Sequence, residues 1–84
     1  MKLKVFTKEF DENKRATIEF AQEIEKHYDV EYINLDSREA VFDAETYDIY
    51  SSPTFLVVRD NGTEVESWRG QLPILSEVKL ALNR

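Results

Sequence analysis

Lys2 to Thr7 alternates: Leu3 and Val5 fall on one side, Lys4 and Phe6 on the other. That period of two predicts a strand. Lys8 to Glu12 is short and polar, a connecting loop. From Asn13 to Tyr28 the residues Thr17, Phe20, Ala21, Ile24 and Tyr28 recur at three and four, the spacing of one helix face. Asp11 is the expected N-cap, because a carboxylate can accept the free amides of a first turn. Glu23 with Lys26 and with His27 adds surface pairing. Val30 to Leu35 reads as a second strand. Ala40, Val41, Ala44 and Tyr47 mark a short second helix. Asp36 and Ser37 are each competent to cap that helix, with Glu39 placed for a capping box.

Thr54 to Arg59 is almost continuously apolar, which predicts a central strand covered on both faces. Asp60-Asn61-Gly62 predicts a hairpin with a type I′ turn. Thr63 to Arg69 is the return strand, with Val65 and Ser67 alternating against Glu64, Glu66 and Trp68 as on an edge strand. Gly70 breaks it. Pro73 is expected in the first turn of the last helix, where its missing amide is harmless, and Ile74, Val78, Ala81 and Leu82 form that helix's buried stripe. The order β-α-β-α-β-β-α predicts an α/β fold: a right-handed parallel crossover, an antiparallel hairpin, and a four-stranded mixed sheet flanked by three helices.

Composition narrows the chemistry. The 84 residues suit one domain spanning 1–84, with stability on the order of 4–12 kcal/mol. There is no cysteine and one histidine, His27. Disulfides, thiolate metal sites and Cys nucleophiles are therefore excluded. A zinc cluster lacks its ligands. No catalytic residue, metal or cofactor is expected. The net charge is −6, which argues against nucleic acid. The charge is uneven: residues 1–15 carry +2, residues 16–48 carry −8, and residues 49–84 balance. That acidic stretch is either a solvated face or a surface that steers a basic partner. No apolar run approaches a membrane span. Met1-Lys2 leads straight into a strand, so no signal peptide is expected and a cytoplasmic location is.

Tyr47-Asp48-Ile49-Tyr50-Ser51-Ser52-Pro53-Thr54 resembles the thioredoxin family, in which a Tyr-x-Ile-x-x-x-Pro-Thr segment with a cis proline enters the central strand. Phe55-Leu56-Val57-Val58, Asn61-Gly62-Thr63-Glu64-Val65 and Gly70 continue the likeness. Upstream, Phe20 to Tyr28 and Asn34-Leu35-Asp36 are similar to the family's first core helix and second strand. The length suits the compact glutaredoxin-type core. The resemblance implies a CxxC where the first loop meets the helix, yet Asp11 and Lys14 stand at the two cysteine positions. Val5 stands where thioredoxins keep a buried acid. Thiol–disulfide exchange is thus not expected. Asp11 and Glu12 invite an acid–base reading, but adjacent carboxylates at a helix start are stabilised by the dipole alone.

What the resemblance leaves is a surface. In the family the backbone before the proline pairs with an extended peptide, a form of strand addition that needs no thiol. Carried over, the groove would be lined by Phe10, Asp11, Ser51, Ser52, Pro53, Gly70 and Gln71, with Ser52 replacing a usual apolar residue. A non-catalytic module binding an unidentified protein or peptide is the leading expectation. Trp68 is a candidate exposed anchor, or else packs against a helix or a long side chain. Two alternatives remain. Lys8 resembles the glutaredoxin lysine that meets a glutathione carboxylate, which would make the chain a glutathione-binding, transferase-like enzyme or subunit. However, Arg69-Gly70-Gln71-Leu72-Pro73 lacks the Gly and Asp pattern for the other end of glutathione. The chain could also be a homo-oligomer pairing through the Thr63–Arg69 edge, although a monomer is expected.

Overall fold

The computed structural model describes residues 1–84. Seven elements succeed one another: β1 (Lys2–Thr7), α1 (Lys14–Glu25), β2 (Val30–Asn34), α2 (Ala40–Tyr47), β3 (Thr54–Val58), β4 (Glu64–Arg69) and α3 (Leu75–Leu82). The sheet order is β2-β1-β3-β4, with β1 parallel to β2 and antiparallel to β3, and β3 antiparallel to β4. The predicted mixed sheet and element order are those observed.

The apolar runs in β1 and β3 explain their central places. All five residues of β3 are buried. Leu3 and Val5 of β1 and Phe55 and Val57 of β3 point to one face, where Ala21 and Ile24 of α1 and Val78, Ala81 and Leu82 of α3 cover them. Phe6, Leu56 and Val58 point to the other, where they meet Ile33, Ala40 and Ile49. Helices α1 and α3 therefore share one face, and α2 lies alone on the opposite one.

Helix α2 buries only Ala40. Val41, predicted to face the core, is 53% exposed and Phe42 76% exposed. The cause is the sheet beneath, which presents Lys4 toward α2. The Lys4 ammonium pairs with Asp43 at 3.3 Å and lies over the Tyr47 ring at 5.5 Å. Polar and cation–π contacts thus do part of the anchoring that apolar packing does elsewhere. The helix ends at Asp48, which is left-handed (φ 55°), and Ile49 N–H donates to Ala44 O at 2.8 Å. This six-to-one bond with a buried apolar residue after it is a Schellman ending. It turns the chain toward Pro53.

Several local expectations are corrected. Helix α1 starts after Asn13 and stops at Glu25, so Asp11 stands two residues ahead of the cap position and Tyr28 lies beyond the helix. Asp36 and Ser37 do not cap α2: Asp36 accepts Glu9 N–H at 2.8 Å, and Ser37 Oγ donates to Asn34 O at 2.8 Å. No Glu39 capping box forms. The hairpin is not type I′, since Gly62 alone in the turn has positive φ (88°). Gly62 N–H donates to Arg59 O and Arg59 N–H to Thr63 O, which makes a three-residue loop in which Gly takes the left-handed position. A register shift at Val57/Val58 bulges β4 at Val65. Val65 therefore packs on the same core as Trp68 instead of alternating with it. Pro73 is buried but precedes the N-cap Ile74, whose ψ of 130° is extended. Ile74 is consequently turned outward, 63% exposed, and the stripe is Leu75, Val78, Ala81 and Leu82.

Thr17 is fully buried on α1, and its Oγ1 finds no hydrogen-bond partner. A buried hydroxyl without a partner costs about 1–3 kcal/mol. Thr17→Val keeps the shape and removes the hydroxyl. It is expected to stabilise the fold by about 1 kcal/mol, which raises Tm by roughly 4–8 °C in a domain of this size. Thermal unfolding followed by circular dichroism checks this. An unchanged or lower Tm would show that the hydroxyl is satisfied.

Candidate functional site

Three loops meet at the end of the sheet where β1 and β2 finish and β3 begins. The first is 8–13, between β1 and α1. Leu35 N–H donates to Thr7 O at 2.8 Å, which holds the ends of β1 and β2 level. Asp36 then reaches the first loop through Glu9 N–H. Within that loop Asp11 Oδ1 accepts Asn13 N–H at 2.8 Å, an Asx turn. The second loop is 48–53, which leaves α2 through the left-handed Asp48. The third is 70–74, opened by Gly70.

Ser52 ties the first two loops together. Its Oγ accepts Lys8 N–H at 3.1 Å and donates to Asp11 Oδ2. The Ser52–Pro53 peptide is cis. Pro53 O accepts Gly70 N–H at 2.8 Å, so the third loop is hydrogen-bonded to the second. Gly70 has φ 78°, and a Cβ there would lie 3.6 Å from Ser51 Cβ and Oγ. Glycine suits this place because of its positive φ, at which a side chain would be strained, while the added Cβ would meet Ser51 only in ordinary contact. Ser51 and Thr54 share a hydroxyl contact at 3.3 Å, and Thr54 Oγ1 donates to Ser51 O at 2.8 Å. The peptide N–H and carbonyl of Ser52 take no part in the chain's backbone hydrogen bonding.

Lys8, Phe10, Asp11, Asp36 and Ser52 line an open cleft of about 360 Å³. Phe10 stands over it, 94% exposed, a large apolar side chain with no core to enter. Of the residues predicted for the groove, Phe10, Asp11 and Ser52 come together here. Ser51, Pro53 and Gly70 adjoin it through the second and third loops, and Gln71 comes after Gly70 in the open. Lys14, at the second cysteine position of the resemblance, is the first residue of α1 and lies 3.8 Å from Glu9. The role of Asp36 is not visible in the sequence, because an Asp after a strand is as good a cap as a cross-loop acceptor.

Trp68 is placed differently from an exposed anchor. Its indole is half-buried against the core under α1 and α3, and Nε1–H donates to Glu77 Oε2 at 3.2 Å. The alternative of packing against a helix is the arrangement observed. No group of three or more His, Asp or Glu side chains is gathered as a metal site. No helix is long and apolar enough to cross a membrane.

No family model matches the chain, and no curated protein matches it by sequence. Solved structures do match by shape. Thioredoxin 1 from the thermophilic eubacterium Thermosipho africanus superposes with a TM-score of 0.78 at 19% identity, over 99% of this chain and 91% of that one. Reduced Schistosoma mansoni thioredoxin pre-protein gives 0.72 at 20% identity, over 98% of this chain and 75% of that one. At such identities the likeness is one of fold.

Proposed function

We propose that this cysteine-free chain of thioredoxin-like fold is a non-catalytic binding module, which takes an extended peptide segment of a partner protein in the groove beside Pro53. One observation carries the reading. The Ser52 amide and carbonyl have no partner in the chain, and they lie at the rim of a cleft flanked by the exposed Phe10 ring. A strand laid beside residues 51–53 would satisfy those groups, and Phe10 would cover an apolar side chain of the guest. The chain holds no thiol, so the groove acts by contact and not by disulfide exchange.

The cleft chemistry favours this over glutathione. Asp11 and Asp36 face one cation, Lys8, in the same space. A tripeptide bearing two carboxylates would meet like charges there, whereas a neutral or cationic segment would not. Selection from a random displayed peptide library tests the proposal. Binders with Kd on the order of micromolar are expected, typical of small peptide interfaces, and Gly70→Val should weaken them at least about tenfold by filling the space beside Ser51. Glutathione at millimolar concentration should not compete. Failure to select any binder, or full retention of binding by Gly70→Val, would overturn the groove assignment.

A further inference from the structure

We propose that the cleft between β4 and α3 is a second binding site, which takes an arginine side chain from an extended segment of a partner protein. The cleft, about 270 Å³, is lined by Glu66, Trp68, Glu77, Leu80 and Arg84 and shares no residue with the groove at Ser52. Trp68 lies in its lining, half-buried, with the indole fixed by the Nε1–H bond to Glu77 Oε2. Leu80, 64% exposed, forms an apolar side wall. Glu77 keeps one carboxylate oxygen free, since only Oε2 is engaged, by Trp68, and Glu66 accepts no hydrogen bond, its Oε2 lying 3.6 Å from Arg84.

This combination selects a guanidinium. A planar guanidinium can rest on an indole and Leu80 while its N–H fork reaches two carboxylates. A lysine ammonium is a point charge that satisfies the carboxylates but gains less from the flat wall. The chain supplies its own weak occupant. Arg84 approaches Glu66 at 3.6 Å, outside good hydrogen-bond range, with both side chains nearly half exposed. The cation lying over an aromatic ring in this protein is Lys4 on Tyr47, not Arg84 on Trp68. Arg84 therefore sits at the rim as a competitor that a better-placed arginine displaces. Strand β4 is the outer strand of the sheet, so its free edge offers backbone groups to a segment lying alongside. The net charge of −6 draws such a segment in.

Trp68 is the only tryptophan, so its fluorescence reports on the cleft directly. The probe is a blocked eight-residue peptide alternating arginine and serine, titrated at low salt because screening weakens surface charge pairs. A saturable emission change is expected. The lysine counterpart should bind about threefold more weakly, and the double variant Glu66→Gln, Glu77→Gln about tenfold more weakly. Arg84→Ala should tighten binding by about threefold, because a resident competitor is lost. Arg15→Ala removes the same charge from the exposed side of α1 and should change nothing. Equal tightening by both arginine variants would mean general charge attraction and overturn the site. So would retained affinity in the double glutamine variant, or no saturable signal. Arginine amide binding as tightly as the peptide would point to a small-molecule ligand and overturn the partner-segment assignment.

Discussion

Phe55→Ala is expected to lower the free energy of unfolding by about 3–5 kcal/mol. Phe55 is fully buried at the middle of β3 and meets Phe20 of α1 edge-to-face, with centroids 5.3 Å apart. Its cross-strand neighbours are Val5 and Trp68. The side chain therefore links both central strands, the edge strand and α1 within the nine-residue cluster. Phe→Ala in a core costs about 3–5 kcal/mol, lost transfer energy plus the cavity left behind. A domain of 84 residues has on the order of 4–12 kcal/mol in total. The truncation removes about a quarter of that margin or more. Urea unfolding followed by Trp68 emission and far-UV circular dichroism measures it. A shift below about 1.5 kcal/mol would mean that the sheet does not depend on this cluster as described.

Ser52→Ala is expected to separate stability from binding. The hydroxyl makes two bonds, accepting from Lys8 N–H and donating to Asp11. Both loops are near solvent, so water replaces much of what is lost, and the cost to stability should be about 1 kcal/mol. The effect on a peptide selected for the groove should be larger, about tenfold or more in Kd. Without the bridge, loop 8–13 and the Ser52 backbone must be ordered by the guest itself. Fluorescence anisotropy gives the affinity, and amide exchange at Lys8 should accelerate. If affinity falls only as far as stability does, the bridge is structural and does not shape the groove.

The layers were legible in the sequence because the apolar periods are strong. Alternation in β1, the continuous run in β3 and the three-and-four spacing in α1 each correspond to the buried sets of the fold. The differences cluster at element ends, where one polar side chain has several equivalent uses. Asp11 and Asp36 each accept a backbone amide, as capping residues do, but from a neighbouring turn and across a loop. Gly62 could serve a two-residue or a three-residue turn, and only the closing bonds distinguish them. Val41 and Ile74 fit helical spacing yet point outward. Lys4 occupies the surface under α2, and Ile74 lies before the helix has begun. Of the candidate groove, its position beside Pro53 was legible from the resemblance. The bridge from Lys8 through Ser52 to Asp11 was not, because it joins residues 41 apart by side-chain geometry alone.

The acidity of residues 16–48 also divides once the fold is known. Asp43 is engaged with Lys4, Asp36 with the Glu9 amide, and Glu31 with Lys2 at 2.8 Å. On α1, Glu19 pairs with Arg15, Glu23 with Lys26, and Glu25 accepts the Tyr32 hydroxyl. The remaining acids, Asp29, Glu39, Glu45 and Asp48, are exposed, which fits a solvated face.

A working surface beside Pro53 is tested most directly by amide chemical-shift mapping, using ¹⁵N-labelled protein and a peptide obtained by selection. The largest perturbations are expected at Lys8 to Asp11, Ser51, Ser52, Gly70 and Gln71. Perturbations confined to the far end of the sheet, at Met1, Arg59, Asp60 and Asn61, would contradict it.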